Sequence, residues 1–132
     1  MTSPTTPASA DAKKATVKNL LNLAFNVKDP TAAANLVTDR YIQHNPNVPT
    51  GKAGFLQALP GFYQAFPDIS WDLKQIWVDG DYVIAHSNYH YVVGDRGKAV
   101  VDIFRFDGDK IDEHWDVHEE IPAEMAHDNG MF

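Results

Sequence analysis

Ala99-Val-Val-Asp-Ile-Phe-Arg-Phe-Asp-Gly-Asp-Lys-Ile-Asp-Glu-His-Trp-Asp-Val-His118 is the stretch whose reading decides the fold. It reads as two strands joined by a tight turn, because glycine at Asp107-Gly108 supplies the positive φ that a hairpin needs. Successive side chains of a strand point to opposite faces. Val100, Asp102, Phe104 and Phe106 therefore share one face of the first strand, and Ala99, Val101, Ile103 and Arg105 share the other. In the second strand Asp112, His114, Asp116 and His118 fall on one face, opposite Ile111, Glu113, Trp115 and Val117.

Asp102 stands in an almost wholly apolar run. A carboxylate in such a run has to be paired, hydrogen-bonded or neutral, since an isolated buried charge is very costly. Arg105 points to the opposite face, which weakens it as a partner and leaves a histidine as the alternative. The second strand places four ionisable groups on one face. A solvated face beside a Trp-bearing core face would explain that strand by itself; with Asp102 added, the pattern points to a cavity with a polar end.

Outward from the hairpin, the hydrophobic period is 2 over Trp71 to Val78 and Tyr82 to Val93, so a meander of four strands is expected. Asp79-Gly-Asp81, Gly94-Asp-Arg-Gly97 and Asp107-Gly-Asp109 are their turns. Upstream the period is near 3.6. Val17, Leu20, Leu21, Ala24 and Val27 form one stripe of a helix over 11–27, with Ser9 or Asp11 as its cap. Asp29-Pro30 reads as the cap and first position of a second helix running to about Val37. Tyr41 begins a loop with a short strand at its start. Thr50 caps a third helix to about Phe66, which Pro60 should kink or restart. Helices followed by a strand meander predict an α+β domain: a strongly bent antiparallel sheet wrapped on about three N-terminal helices and enclosing a pocket. Residues 1–10 read as a disordered tail, 11–119 as the domain and 120–132 as a C-terminal tail.

The chain has 132 residues, 44% hydrophobic, enough for one domain with a real core. It has no cysteine, which excludes disulfides and thiol catalysis. A net charge of −7 makes nucleic acid and anionic membranes poor partners. No apolar run reaches bilayer length, and the first ten residues lack the apolar core of a signal peptide, so a cytoplasmic location is expected.

Val101 to Asp116, together with Tyr41-Ile-Gln-His-Asn-Pro46 and Phe66-Pro-Asp68, resembles the SnoaL-like polyketide cyclases, over about residues 12–119. These belong to the cone-shaped superfamily that includes ketosteroid isomerase, scytalone dehydratase and nuclear transport factor 2. The resemblance implies a lyase or isomerase that works without a cofactor or metal on a small carbonyl compound, by proton transfer, enolate stabilisation and aldol-type bond formation or cleavage. Asp116 then matches the acid/base aspartate of the cyclases. Asp102 falls where ketosteroid isomerases keep a protonated aspartic acid in the oxyanion hole. His44 and His114 would position substrate or relay protons. Tyr41, Trp71, Phe55, Phe104 and His118 are the expected substrate contacts.

The several His and Asp residues also invite a metal, through His114-x-Asp116-x-His118 or His86 and His90 with His44. Alternate residues of a strand are too widely spaced to chelate one small ion easily, so no metal is expected. His86, Asn88 and His90 compete with Ser87, Tyr89 and Tyr91 for the inner face of their strand. A homodimer through the outer face of the sheet is expected from the aromatic-rich strands. The rival reading is a non-catalytic small-molecule-binding or accessory module of the same fold, and the placement of Asp102 and Asp116 discriminates between the two.

Overall fold

The computed structural model describes residues 8–132. The expected N-terminal tail lies outside the described residues except for 8–10. Helix α1, Ala10–Asn22, is capped by Ser9, whose Oγ accepts from Ala12 N at 3.1 Å. It runs on as a π-helical turn, Leu23–Val27, which Lys28 closes in the left-handed conformation at φ 64°. Val17, Leu20, Leu21 and Ala24 are buried as their spacing predicts, but Val27 is exposed. The wider π turn shifts the helical phase and rotates Val27 off the stripe. Helix α2, Pro30–Ala34, has Asp29 as its cap. It ends short of the expected Val37 because Val37 begins a strand.

Strands β1 (Val37–Gln43), β2 (Ser70–Asp79), β3 (Tyr82–His90), β4 (Lys98–Asp107) and β5 (Lys110–Glu120) form one sheet in the order β1-β5-β4-β3-β2. The four expected strands are present and pair antiparallel. The sheet is nevertheless mixed rather than antiparallel, because β1 joins its edge parallel to β5. Thr38-Asp-Arg40 breaks the apolar alternation of β1, and its pairing shifts register between Val37 and Ile42, so the strand leaves little periodic signal. Helix α3, Gly51–Ala65, contains Pro60 without ending there. Helices and sheet share one core in which Leu20, Tyr41, Phe104, Phe106 and Ile111 are nearly or wholly buried. Among the described residues no helix is long and apolar enough to cross a membrane.

Two polar ties and one close backbone approach hold the layers in place. Lys13, buried on α1, donates to Gly80 O at 2.8 Å and pairs with Asp81 at 3.3 Å, tying the helix to the β2–β3 turn. Asn26 accepts from Trp71 N at 2.8 Å and donates to Trp71 O at 3.0 Å, so a side-chain amide caps the free edge of β2. Gly97 enters β4 at φ +86°, and a Cβ there would lie 1.9 Å from Asn88 Oδ1, so a larger residue does not fit.

The β4–β5 register shifts between Arg105 and Phe106: Phe106 opposes Ile111, while Arg105 opposes Glu113. Asp112 is the extra residue. The bulge turns it away from His114, Asp116 and His118, with which a regular strand would align it. Asp112 is fully buried and is bonded by Thr38 Oγ1 at 2.7 Å, by both Arg40 Nε and Nη2, and by Arg105 Nη2 at 2.5 Å. The Arg40 bond, first among these contacts, holds its carboxyl far below the usual range. Asp112→Ala should cost about 2 to 3 kcal/mol in urea unfolding, less than a fully buried pair because Arg40 stays hydrated. A depressed folded pKa adds stability that is fully present above the unfolded value near pH 4 and is lost as pH falls from there through the lower folded value. The acid-side fall in stability of the parent should therefore be shallower in Asp112→Ala.

Candidate active site

Cross-strand pairing builds the site. Asp102 opposes Asp116, Phe104 opposes His114 and Val100 opposes His118, all on the inner face. Parallel pairing with β1 brings Gln43 beside His114. These groups form the polar end of a cavity of about 260 Å³ under α1 and α3. Leu20, Phe25, Phe55, Leu59, Phe62 and Ile69 supply apolar wall.

Asp102 is 3% exposed and His114 7% exposed. His114 Nε2 lies 2.8 Å from Asp102 Oδ1 and 3.8 Å from Asp116 Oδ2. The Tyr89 hydroxyl donates to Asp102 Oδ2 at 2.7 Å. Asn45 Nδ2 donates to both Asp116 oxygens, at 3.0 and 2.9 Å. Gln43 Oε1 lies 2.8 Å from His114 Nδ1 and accepts the backbone N–H groups of His44 and Asn45, each at 3.0 Å. Burial, and then the Asp102 charge, push the Tyr89 hydroxyl well above its ordinary pKa. Burial likewise raises Tyr41 and Tyr91. All three remain phenols, able to donate hydrogen bonds.

Asp102, His114 and Asp116 are thus brought together, and Tyr41, Phe55, Phe104 and His118 line the same cavity. Tyr41 lies between Phe55 (centroids 5.5 Å apart, edge-on) and His114 (6.4 Å, stacked). Phe104 packs at 4.7 Å on the His114 ring. Arg105 pairs with Asp112 and Glu113, not with Asp102.

Two expected site residues are not in the cavity wall. His44 lies outside it, because strand-like alternation directs Gln43 and Asn45 inward and turns residue 44 out. Its ring stacks on Trp115 at 4.8 Å, and its Nε2 lies 2.7 Å from Glu113 Oε2. Trp71 is held in the core instead, donating from Nε1 to Ser87 Oγ at 2.8 Å. Gln43, Asn45 and Tyr89 are the residues that sequence reasoning missed. The period-2 pattern through Tyr41, Gln43 and Asn45 was the available signal for the first two. Tyr89 was one of two competing sets on β3. Ser87 and Tyr89 take the inside, while His86 packs against Phe132 at 5.0 Å and His90 binds Asp95 at 2.7 Å.

One ligating atom each from Asp102, His114 and Asp116 lie within 4.8 Å of one another, a group that can approach a cation. Coordination would displace the Asp102–His114 bond and set a metal against the Asn45 amide protons. The geometry suits a proton network better. Chemically, one carboxylate faces the cavity beside an imidazole backed by a second carboxylate, the arrangement needed to take a proton from carbon and stabilise charge on a neighbouring oxygen.

Residues 17–114 match the family described as SnoaL-like domain. No curated protein matches the chain. Among solved structures, TsrD from Streptomyces laurentii is 20% identical with a TM-score of 0.72, over 85% of this chain and 91% of that one. A candidate polyketide cyclase from Bacillus cereus is 20% identical with a TM-score of 0.70, over 82% of this chain and 74% of that one. A candidate ketosteroid isomerase from Kribbella flavida is 17% identical with a TM-score of 0.71, over 89% of this chain and 85% of that one. At these identities the likeness is one of fold.

Proposed function

The chain belongs to the SnoaL-like domain family, and from that premise we propose that it is an enzyme that moves protons on a small carbonyl compound without a cofactor, as a lyase or isomerase. The observation that carries the reading is the meeting of Asp102, His114 and Asp116 at the polar end of an otherwise apolar cavity. Asp116 takes the proton α to the carbonyl. The C–H electron pair becomes the enolate double bond, and the carbonyl π pair moves onto oxygen. The His114 Nε2–Asp102 pair faces that oxygen and stabilises or protonates it. Return of the proton from Asp116 to another carbon gives isomerisation. Attack of the enolate carbon on a second carbonyl gives aldol-type bond formation, and the reverse gives cleavage. Asp102 and His114 act as one unit in this reading: Tyr89 and His114 hold both Asp102 oxygens, and His114 Nε2 turns its hydrogen from Asp102 to the substrate oxygen as charge builds there.

The substrate is small and uncharged. A cavity of about 260 Å³ falls below the roughly 300–1,000 Å³ of drug-sized sites, which favours one or two rings over a polycycle. Lys98, the amine in its wall among the described residues, is held by Glu120 at 3.3 Å and lies over the Tyr91 ring. An anionic substrate would meet Asp116 without a free cation to offset it.

Incubation with a panel of small uncharged ketones in D₂O, followed by NMR, should show catalysed α-proton exchange. Binding without exchange across the panel would favour the accessory-module reading. A second copy of the chain is proposed to cover the outer sheet face, where Val117 is 68% and Trp77 47% exposed. Val117→Asp should convert a dimer to a monomer in analytical ultracentrifugation, and a monomeric parent would refute this pairing.

A further inference from the structure

Gln43 lies on β1, whose edge-to-edge pairing with β5 sets it opposite His114. A backbone N–H can only donate, and those of His44 and Asn45 both point at one atom of the Gln43 amide, each at 3.0 Å. That atom is therefore the oxygen. The same oxygen lies 2.8 Å from His114 Nδ1. Two acceptors do not make a contact that short, so Nδ1 carries a hydrogen.

This fixes the proton inventory of the neighbouring contact. With Nδ1 protonated, Nε2 of a neutral ring is a lone pair and Nε2 of a charged ring is a donor. Across 2.8 Å from Asp102 Oδ1, either form requires one proton between the two atoms. Tyr89 does not supply it, since its own hydroxyl donates to the other oxygen. The His114–Asp102 pair is then neutral and holds one transferable proton. In the opposite tautomer, with Nδ1 bare, Nε2–H would face an ionised Asp102. The pair would then be net negative beside Asp116, with no spare proton for a substrate oxygen.

We propose that Gln43 is a positioning residue that holds the hydrogen on His114 Nδ1 and thereby keeps one mobile proton between His114 Nε2 and Asp102. Its consequence for turnover rests on the acid/base reading above; its effect on the imidazole does not. Two main-chain N–H groups on the Gln43 oxygen stop the amide from rotating to present its NH₂ to the ring. The same side chain thus orders the Gln43–Asn45 segment, from which Asn45 reaches Asp116.

The test is ¹⁵N NMR of the imidazole nitrogens in the whole protein, with His114 assigned by the signal lost in His114→Phe. In the parent, Nδ1 should be of the protonated type across about pH 6 to 8. Gln43→Glu keeps an acceptor in place and should retain that signature. Gln43→Met removes it and should shift the hydrogen toward Nε2. In α-proton exchange Gln43→Met should be about ten- to a hundredfold slower, with most of the rate restored by Gln43→Glu. An unprotonated Nδ1 in the parent overturns the proposal, and so does an unchanged signature in Gln43→Met. The parent spectrum and Gln43→Glu decide the matter even if Gln43→Met does not fold. Absence of exchange in the parent would instead count against the enzymatic reading and leave the imidazole result standing.

Discussion

Asp116→Asn should lower the rate of α-proton exchange by about 10²- to 10⁴-fold, with the fold intact. The amide occupies the same volume and its oxygen can still accept one of the two Asn45 bonds; its NH₂ then opposes the Asn45 NH₂, a local cost that leaves the apolar wall in place. What is lost is the basic electron pair. The fall should appear in kcat with KM nearly unchanged, because the apolar wall that binds the substrate is untouched. A fall in KM-dependent binding with kcat preserved would place the base elsewhere.

Asp102→Asn should cost about a hundredfold in rate while leaving stability close to that of the parent. The amide oxygen can accept from Tyr89, and the amide NH₂ can donate to His114 Nε2, so both buried partners remain satisfied. His114 would then be held neutral, with Nδ1–H on Gln43 and its lone pair on the new amide, and no proton left to transfer. Asp102→Leu separates the two roles of this residue. It leaves the Tyr89 hydroxyl and the His114 nitrogen buried without partners, at a cost of about 2 to 5 kcal/mol measured by urea unfolding. If Asp102→Asn were as active as the parent, the proton between His114 and Asp102 would have no part in the reaction.

The period-2 pattern of β4 made the inward face legible, because each of Val100, Asp102, Phe104 and Phe106 follows the regular alternation that burial imposes. For β5 the same rule held from His114 onward and failed at Asp112. A bulge inserts one residue without any mark in the hydrophobic pattern, and the Arg40 and Arg105 partners that stabilise Asp112 there are set by tertiary pairing. Only the end of the parallel edge strand was legible, as a short strand beginning at Tyr41, and the rest escaped for a related reason. Its pairing with β5 spans most of the chain, and the polar Thr38-Asp-Arg40 stretch hides its alternation. That omission displaced the candidate site by one residue: with β1 in place, Gln43 and Asn45 face the cavity and His44 faces out. Trp71 shows a different limit. A tryptophan at a strand end fits a ligand wall or a core equally well by composition, and only the Ser87 hydroxyl beneath it decides for the core.

The fold and family follow from strong, regular signals carried by many residues. The chemistry depends on four or five side chains whose partners come from distant strands, so distances across the fold, not spacing along the chain, define their roles.

The most direct test of the central claim is a crystal structure with a small uncharged ketone bound in the cavity. An Asp116 oxygen is expected about 3 to 3.5 Å from the α-carbon, with His114 Nε2 within hydrogen-bond reach of the carbonyl oxygen. A ketone seated with its carbonyl toward the apolar wall, or bound away from Asp116, would contradict it.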